Sequence, residues 1–452
     1  MNEQIKKIKD KLENQRPYYC VGKVLSSRGT VYEARLSKAS IGSSIVFVTE
    51  DGCRVDGEVV SIKGDHCCVM PYDDVKNINT NTKIYLTDDQ SHIGLSPDLL
   101  GRVVDFRAKP IDSKGEISIQ EKRSIFGKPL NPMDRTPVHQ ALDVGVNAIN
   151  GFCTIGRGQR MSILAGSGVG KSVLMGMMAK QTEADVIVIA LVGERGREVL
   201  DFIETELGSE GLKKAILVVA TSDTSPLMKI RAAYTATTIA EYFRDGAKNV
   251  LLMMDSITRF AMAYREIGMS VGEPIGPKGY GPTVFSKLPK LMERAGTVKT
   301  GGSITGIYTV LVEGGDMDEP IADAVRSISD GHIVLSRELA AKDHYPAIDI
   351  LNSLSRVMNK VITREHSILS SHLRDLLAEY RKSEDLINIG AYVKGSNPKL
   401  DKAVAVIEEI NNVLKQRSDQ AIEPQELIDK FIQIARNAEE AINPNAFSEA
   451  QA

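Results

Sequence analysis

The run Ala165-Gly166-Ser167-Gly168-Val169-Gly170-Lys171-Ser172-Val173 sets a lysine and a hydroxyl directly after a glycine-rich stretch. With few Cβ atoms in the way, the backbone N–H groups of such a loop can curl around an anion. A lysine at its end reaches the β and γ phosphates of a nucleoside triphosphate, and the hydroxyl after it binds Mg2+. The apolar run QRMSILA before the loop reads as a strand, and SVLMGMMAKQ after it reads as a helix whose N-terminal dipole end favours negative charge. One position departs from the usual G-x-x-x-x-G-K-S: Ala165 stands first, small enough to leave the inner glycines and Lys171 in place. The loop therefore predicts ATP and Mg2+ as ligands, contacted by residues 166–173.

Two carboxylates fit the same chemistry. The apolar strand Val250-Leu251-Leu252-Met253-Met254 ends in Asp255; at the carboxyl end of a parallel strand that group faces the ligand crevice and holds Mg2+ directly or through water. The strand over 186–192, expected beside the phosphate loop, runs into Gly193-Glu194-Arg195-Gly196-Arg197-Glu198. Glu194, at the strand tip, is placed to polarise a water in line with a γ-phosphate, whereas Glu198 belongs to the helix that follows. Arg195 is within reach of the transferred phosphate, and Arg197 reads as a structural ion pair. Further on, Leu351-Asn352-Ser353-Leu354-Ser355-Arg356 carries a lone arginine, which by local spacing is only a salt-bridge partner.

These residues need a scaffold that brings strand ends together. From about Ala148 to Pro346 apolar runs (QRMSILA, DVIVIALVG, AILVVATS, NVLLMMDS, ITGIYTVLV, HIVLS) alternate with helical segments. Nearly continuous apolar strands suit a parallel sheet covered on both faces, so this third predicts a doubly wound α/β domain. Before it, short β-rich runs from Tyr18 to Asp89 recur every 8–12 residues, the rhythm of a small antiparallel barrel or sandwich. The stretch Leu100–Pro137, rich in Pro, Gly and charge, reads as an irregular connection. The last hundred residues hold repeated 3.6-period patterns and no strands, which predicts a helical domain. At the start, Met1, Ile5, Ile8 and Leu12 lie at 4-3-4 spacing in a short amphipathic helix that either docks on its own domain or serves as a partner handle. The expected divisions are 1–17, 18–95, 96–147, 148–350 and 351–452.

Composition limits what such a chain does. Of 452 residues 42% are apolar and 25% charged, which excludes disorder and disulfide scaffolds. With 56 Lys+Arg against 59 Asp+Glu, the formal charge of −3 argues against a surface that grips nucleic acid throughout. Five cysteines without regular spacing read as reduced thiols; His66-Cys67-Cys68 is two thiols in a strand rather than a metal site. No apolar run nears the ~18 residues of a membrane span and no leader-like apolar region opens the chain, so a cytoplasmic protein is expected.

The segments DVGVNAINGFCTIGRGQRMSILAGSGVGKSVLMGMMA, VIALVGERGREVLDFI, LLMMDSITRFAMAYREIGMSVGEP, GYGPTVFSKLPKLMERAG, EPIADAVRSISDGHIVLSRELA and HYPAIDILNSLSRVM, in this order, resemble the catalytic subunits of the rotary ATPase superfamily, and most of all the flagellar type III export ATPases. The resemblance implies a β-barrel, a RecA-like P-loop core and a C-terminal helical domain, assembled as a homohexamer with ATP sites between subunits. It implies that Glu194 is the catalytic glutamate and Arg356 an arginine finger acting on a neighbouring subunit's site. A Tyr that follows an EH pair in the synthase subunit is absent from Glu365-His366-Ser367, which leaves Tyr392, in GAYVKGSNP, as the candidate adenine contact. Implied partners are a stator-like regulator at the N-terminal helix, a coiled-coil stalk in the pore (near the loop Glu313-Gly314-Gly315-Asp316-Met317-Asp318), export chaperones with unfolded substrates, and an export gate at the inner face of the cell membrane.

Three other readings share these motifs. An injectisome secretion ATPase is close in sequence. A catalytic subunit of a rotary ATP synthase would need a second subunit type, whereas here one chain holds both Glu194 and Arg356. An RNA translocase of the Rho type shares the core but would need basic and aromatic residues on its N-terminal face, where aromatics are few.

Overall fold

The computed structural model describes residues 21–74, 76–87, 91–312 and 316–442. The amphipathic segment 1–17, Cys20 and the loop residues Glu313, Gly314 and Gly315 lie outside the described residues.

The first β-rich region closes into a six-stranded antiparallel barrel, which decides between barrel and sandwich. Its strands are β1 (Val21–Arg28), β2 (Val31–Arg35), β3 (Ser44–Val48), β4 (Arg54–Lys63), β5 (His66–Pro71) and β6 (Lys83–Leu86), in the order β1-β2-β5-β4-β3-β6. Closure removes the free edges that short strands would otherwise expose. Val24, Ala34, Phe47, Val59, Val69 and Ile84 fill the interior. In β5, Cys67 is buried while Cys68 is only half-buried, as the period-2 alternation of a strand requires. No cluster of three His, Cys, Asp or Glu among the described residues is arranged to hold a metal.

The central third is the expected α/β domain. Seven parallel strands run in the order Gly331–Val334, Arg160–Ala165, Ser303–Leu311, Asn249–Asp255, Val186–Glu194, Ala215–Thr221, Val103–Val104. Leu354–Ser355 and Gly296–Thr297 add antiparallel pieces. Strands in the middle, such as Val186–Glu194, are buried along nearly their whole length, the signature of a sheet covered on both faces. The helix Lys171–Gln181 packs on one face, and Pro226–Asp245 and Ile257–Ser270 on the other, where their buried residues share a second core with Val188, Ala190 and Val250.

Two expectations need correction. The strand 186–194 is not next to the phosphate-loop strand; Ser303–Leu311 and Asn249–Asp255 lie between them. The segment after Leu100 is also more than a connection. Val103–Val104 extends the core sheet parallel to Ala215–Thr221, and Glu121–Ser124 pairs with His92–Leu95. Long-range pairing of this kind leaves no local period, so a Pro- and Gly-rich stretch conceals it.

The C-terminal helices Arg364–Asn388, Pro398–Leu414 and Pro424–Glu440 pack on the short helix Asn147–Phe152, with the Phe152 and Phe431 rings 5.0 Å apart. His366, buried, bonds the Gly151 carbonyl through Nε2 at 2.9 Å. Barrel and core meet at a buried ion pair: Arg231, on the helix Pro226–Asp245, donates to Glu58 on β4 at 2.7 Å, and Tyr72 Oη donates to the same carboxylate at 3.1 Å. Removing one member of such a pair strands the other charge in a dry setting. Arg231→Ala should therefore cost about 3–5 kcal/mol in urea unfolding, whereas replacing the exposed Arg417 should change it by less than about 1 kcal/mol.

Candidate functional site

The phosphate-binding loop follows the strand Arg160–Ala165 and opens the helix Lys171–Gln181. Gly170, the residue before the helix, has φ of +88°, a left-handed conformation that a side chain would strain. Val169 is buried and anchors the loop from beneath; Ser167, Gly168, Ser172 and Val173 face outward. Space above Gly168 is open, since a Cβ built there meets nothing within 4 Å. The loop thus presents open backbone at Gly168, close to a helix N-terminus, which fits an anion such as a polyphosphate. A carboxylate, a hydroxyl and phosphate oxygens suit Mg2+, which rarely takes an all-protein cage; Asp255 and Ser172 are the donors of that kind here.

Parallel strands end on one edge of the sheet, so the tips of three of them deliver their side chains together. Lys171 Nζ forms an ion pair with Asp255 and lies 3.4 Å from Glu194 Oε1. Asp255, only 4% exposed, also accepts from Thr309 Oγ1 at 2.7 Å, on the strand between it and the loop. Glu194 reaches this cluster through a register slip: the pairing with the neighbouring strand skips Gly193, whose φ is +75°. One skipped residue turns a strand side chain to the other face.

Burial and charge then set the protonation states. Burial pushes the Glu194 carboxyl up, the Asp255 charge adds to it, and Lys171 only partly offsets them, so its pKa stands at about 7. Lys171 experiences the reverse balance: burial opposes its charge, yet Asp255 and Glu194 outweigh that and hold its pKa above the ordinary value.

The other sequence-derived residues fall in different places. Arg195 is exposed and pairs with Glu198 at 3.2 Å across one helical turn. The ion pair expected of Arg197 thus belongs to Arg195, while Arg197 is exposed. Arg356 follows the short strand Leu354–Ser355 at the far edge of the sheet; its backbone N–H donates to the Asp330 carbonyl at 2.9 Å. The Arg356 side chain is exposed and makes no ion pair among the described residues. Tyr392 does not join the loop. It lies between the last helices, and its hydroxyl donates to Asp401.

Two residues join the site that spacing did not flag. The ring of Tyr345, 41% exposed, stands over the loop, 3.5 Å from where a Cβ on Gly170 would be. Arg259, one turn into the helix that follows Asp255, lays its side chain against Gly193, with Nε buried and without a hydrogen-bond partner among the described residues. Its place four residues after Asp255 was the available signal.

A raised carboxyl pKa makes a pH prediction. Glu194 is protonated in both folded and unfolded chains below its ordinary value of 4.5. Between there and about 7 only the unfolded chain releases the proton, so stability falls as pH rises across that window. Glu194→Gln should accordingly melt at a higher temperature than the parent at pH 8, with the difference fading below about pH 4.5.

Comparison with known proteins agrees with this geometry. Residues 145–355 match the model of the ATP synthase alpha/beta family, nucleotide-binding domain, and residues 362–433 match that of the T3SS EscN ATPase C-terminal domain. A flagellum-specific ATP synthase of Bacillus subtilis (strain 168) is 46% identical over 432 residues, covering 95% of this chain and 98% of that protein. The assembled ATPase EscN from the type III secretion system of enteropathogenic E. coli superposes with a TM-score of 0.87 at 44% identity, covering 91% of this chain and 99% of that one. EscN in complex with its central stalk EscO gives a TM-score of 0.83 at the same identity and coverage.

Proposed function

The chain belongs to the family of flagellum-specific ATP synthases and type III secretion ATPases, built on the ATP synthase alpha/beta nucleotide-binding domain, and on that premise we propose that it hydrolyses ATP at subunit interfaces of a homohexamer to energise type III protein export, of flagellar subunits. The observation that carries this reading is the buried cluster of Lys171, Glu194 and Asp255 beside an open glycine loop. The flagellar assignment is supported by the flagellum-specific relatives, the Bacillus protein among them at 46% identity.

In this reading the triphosphate lies along the backbone N–H groups of residues 166–173, and Lys171 exchanges its carboxylate partners for β and γ phosphate oxygens. Ser172 and Asp255 would hold Mg2+ together with the phosphates, and the ion would supply positive charge to offset the negative charge developing on the leaving group. Losing Lys171 to the phosphates removes the cation between Glu194 and Asp255. Without that offsetting charge the Glu194 carboxylate becomes more basic still, suited to take the proton of a water that attacks the γ-phosphorus as the bond to ADP breaks. Arg259, packed against Gly193, supplies positive charge near the transferred group, whereas Arg195 is turned outward to Glu198. Tyr345 offers its exposed ring as the stacking surface for the base, the role the sequence had suggested for Tyr392.

Arg356 completes the site from the next subunit. Its exposed guanidinium, unpaired among the described residues, is what a finger acting in trans requires. The stalk in the pore, a regulator at residues 1–17, chaperone-bound unfolded substrates and a gate at the membrane complete the proposed system. It would work at the cytoplasmic face, consistent with no helix among the described residues being long and apolar enough to cross a membrane. No nucleic acid partner is proposed.

The roles separate by mutation. Lys171→Ala should lose tight ATP binding, and Glu194→Gln should bind ATP while turning over at least about a hundredfold more slowly. Arg356→Ala should keep nucleotide binding and lose a comparable factor. Mixing the Glu194→Gln and Arg356→Ala chains should restore part of the rate through interfaces that carry both native groups. Mixtures no faster than either variant alone would contradict a finger in trans.

A further inference from the structure

The ring offered to the base belongs to a residue whose backbone is held from outside the core. On either side of it the chain is tied back to the core itself. The His344 N–H donates to the Leu339 carbonyl at 3.0 Å, and the Ala347 carbonyl accepts from the Ser336 N–H at 2.8 Å. Tyr345 differs. Among the described residues its backbone makes one hydrogen bond, in which the Gln416 N–H donates to the Tyr345 carbonyl at 2.9 Å. Gln416 stands two residues past the C-terminal helix Pro398–Leu414.

Gln416 is fixed in turn by its own side chain, which is buried with the residue only 9% exposed. Its Nε2 donates to the Gly145 carbonyl at 2.7 Å and to the Gln420 carbonyl, and its Oε1 accepts from the Asn147 N–H at 2.9 Å. Two carbonyls at one end and an N–H at the other dictate which way the amide points. Asn147 adds a second tie, its Nδ2 donating to the Val413 carbonyl at 3.0 Å. Breaking any of these bonds leaves a buried polar group without its partner, so the amide is held firmly. The same turn also meets the phosphate-loop helix. Gln181, the last residue of Lys171–Gln181, donates through Nε2 to the Ser418 and Gln420 carbonyls at 3.2 and 3.3 Å.

We infer that Gln416 is a positioning residue for base recognition. Its side chain fixes its own backbone N–H, that N–H fixes the Tyr345 carbonyl, and the carbonyl sets the peptide plane from which the ring stands over Gly170. The inference rests on Tyr345 being the stacking surface proposed above. It makes the junction with the C-terminal helices part of the base site, while the phosphates are gripped by the loop and Lys171 independently of it. A displacement of the last helices at this turn therefore changes affinity for the base and leaves the grip on the phosphates.

Titration calorimetry on the full-length chain tests this, with ATP and with inorganic tripolyphosphate, which has no base. It compares the parent, Gln416→Glu, Gln416→Ala, Tyr345→Ala and the Tyr345→Ala/Gln416→Glu pair. Gln416→Glu keeps the shape but turns a carboxylate oxygen toward two carbonyls; Gln416→Ala adds no charge and decides the case if the carboxylate unfolds the turn. Both Gln416 variants should bind ATP about tenfold more weakly, as expected for one base–aromatic stack, and tripolyphosphate within about twofold of the parent. KM for ATP should rise by more than kcat falls. In the Tyr345→Ala background Gln416→Glu should add nothing, since both act through one ring. Equal weakening of the two ligands would overturn the inference by making Gln416 a structural residue, and so would losses that add in the pair. Normal ATP binding by both Gln416 variants, with Tyr345→Ala weak, would overturn it and leave the stacking role standing. If Tyr345→Ala itself binds ATP normally, the stacking role falls and the inference with it.

Discussion

One buried cation between two carboxylates organises the catalytic domain. Lys171, Glu194 and Asp255 are each at least four-fifths withdrawn from solvent, and charges in that setting are tolerated only when paired. Holding them together requires three separate strands to end at one edge, which only a parallel sheet with short turns at that edge provides. The long apolar strands, the glycine loop and the register slip at Gly193 all serve that requirement. Burial and the Asp255 charge beside it leave Glu194 with a raised pKa that the shared Lys171 only partly offsets. A polyphosphate that drew Lys171 to its own oxygens would rearrange this balance.

Much of this was legible in the sequence because it is written locally. A glycine loop between an apolar run and a helical run specifies strand, turn and helix at once, and an apolar strand closing on Asp255 or Glu194 marks a carboxyl at a sheet edge. What the sequence concealed is non-local. Period and spacing report how buried a residue is, not which strand lies beside it, so the separation of 186–194 from the loop strand by two others was invisible. Val103–Val104 joining the sheet beside Ala215–Thr221 was hidden for the same reason. Tyr345 was missed because its relevance comes from its approach to Gly170 across a long stretch of chain, and Arg259 because its contact with Gly193 joins two separate strand ends. Arg356 is the opposite case: its local spacing was silent, and the resemblance alone gave it a role.

The location of Arg356 links chemistry to assembly. On the same chain, Glu194 ends an inner strand and Lys171 opens the helix after another, while Arg356 follows the antiparallel strand at the sheet's edge, exposed. In the proposed function one chain carries every group the reaction needs, with Arg356 facing away. A ring of identical chains would then join each catalytic face to a neighbour's Arg356 and make hydrolysis conditional on the oligomer. The barrel, tied to the core by Glu58 and Arg231, holds its orientation relative to that ring.

The central claim is that one chain alone carries an incomplete site. Its most direct test is specific ATPase activity measured against protein concentration, with oligomeric state followed by light scattering in the same samples. Turnover per chain should rise steeply as rings form and level off once they are complete. A turnover per chain that stays constant down to concentrations at which the protein is monomeric would contradict the account.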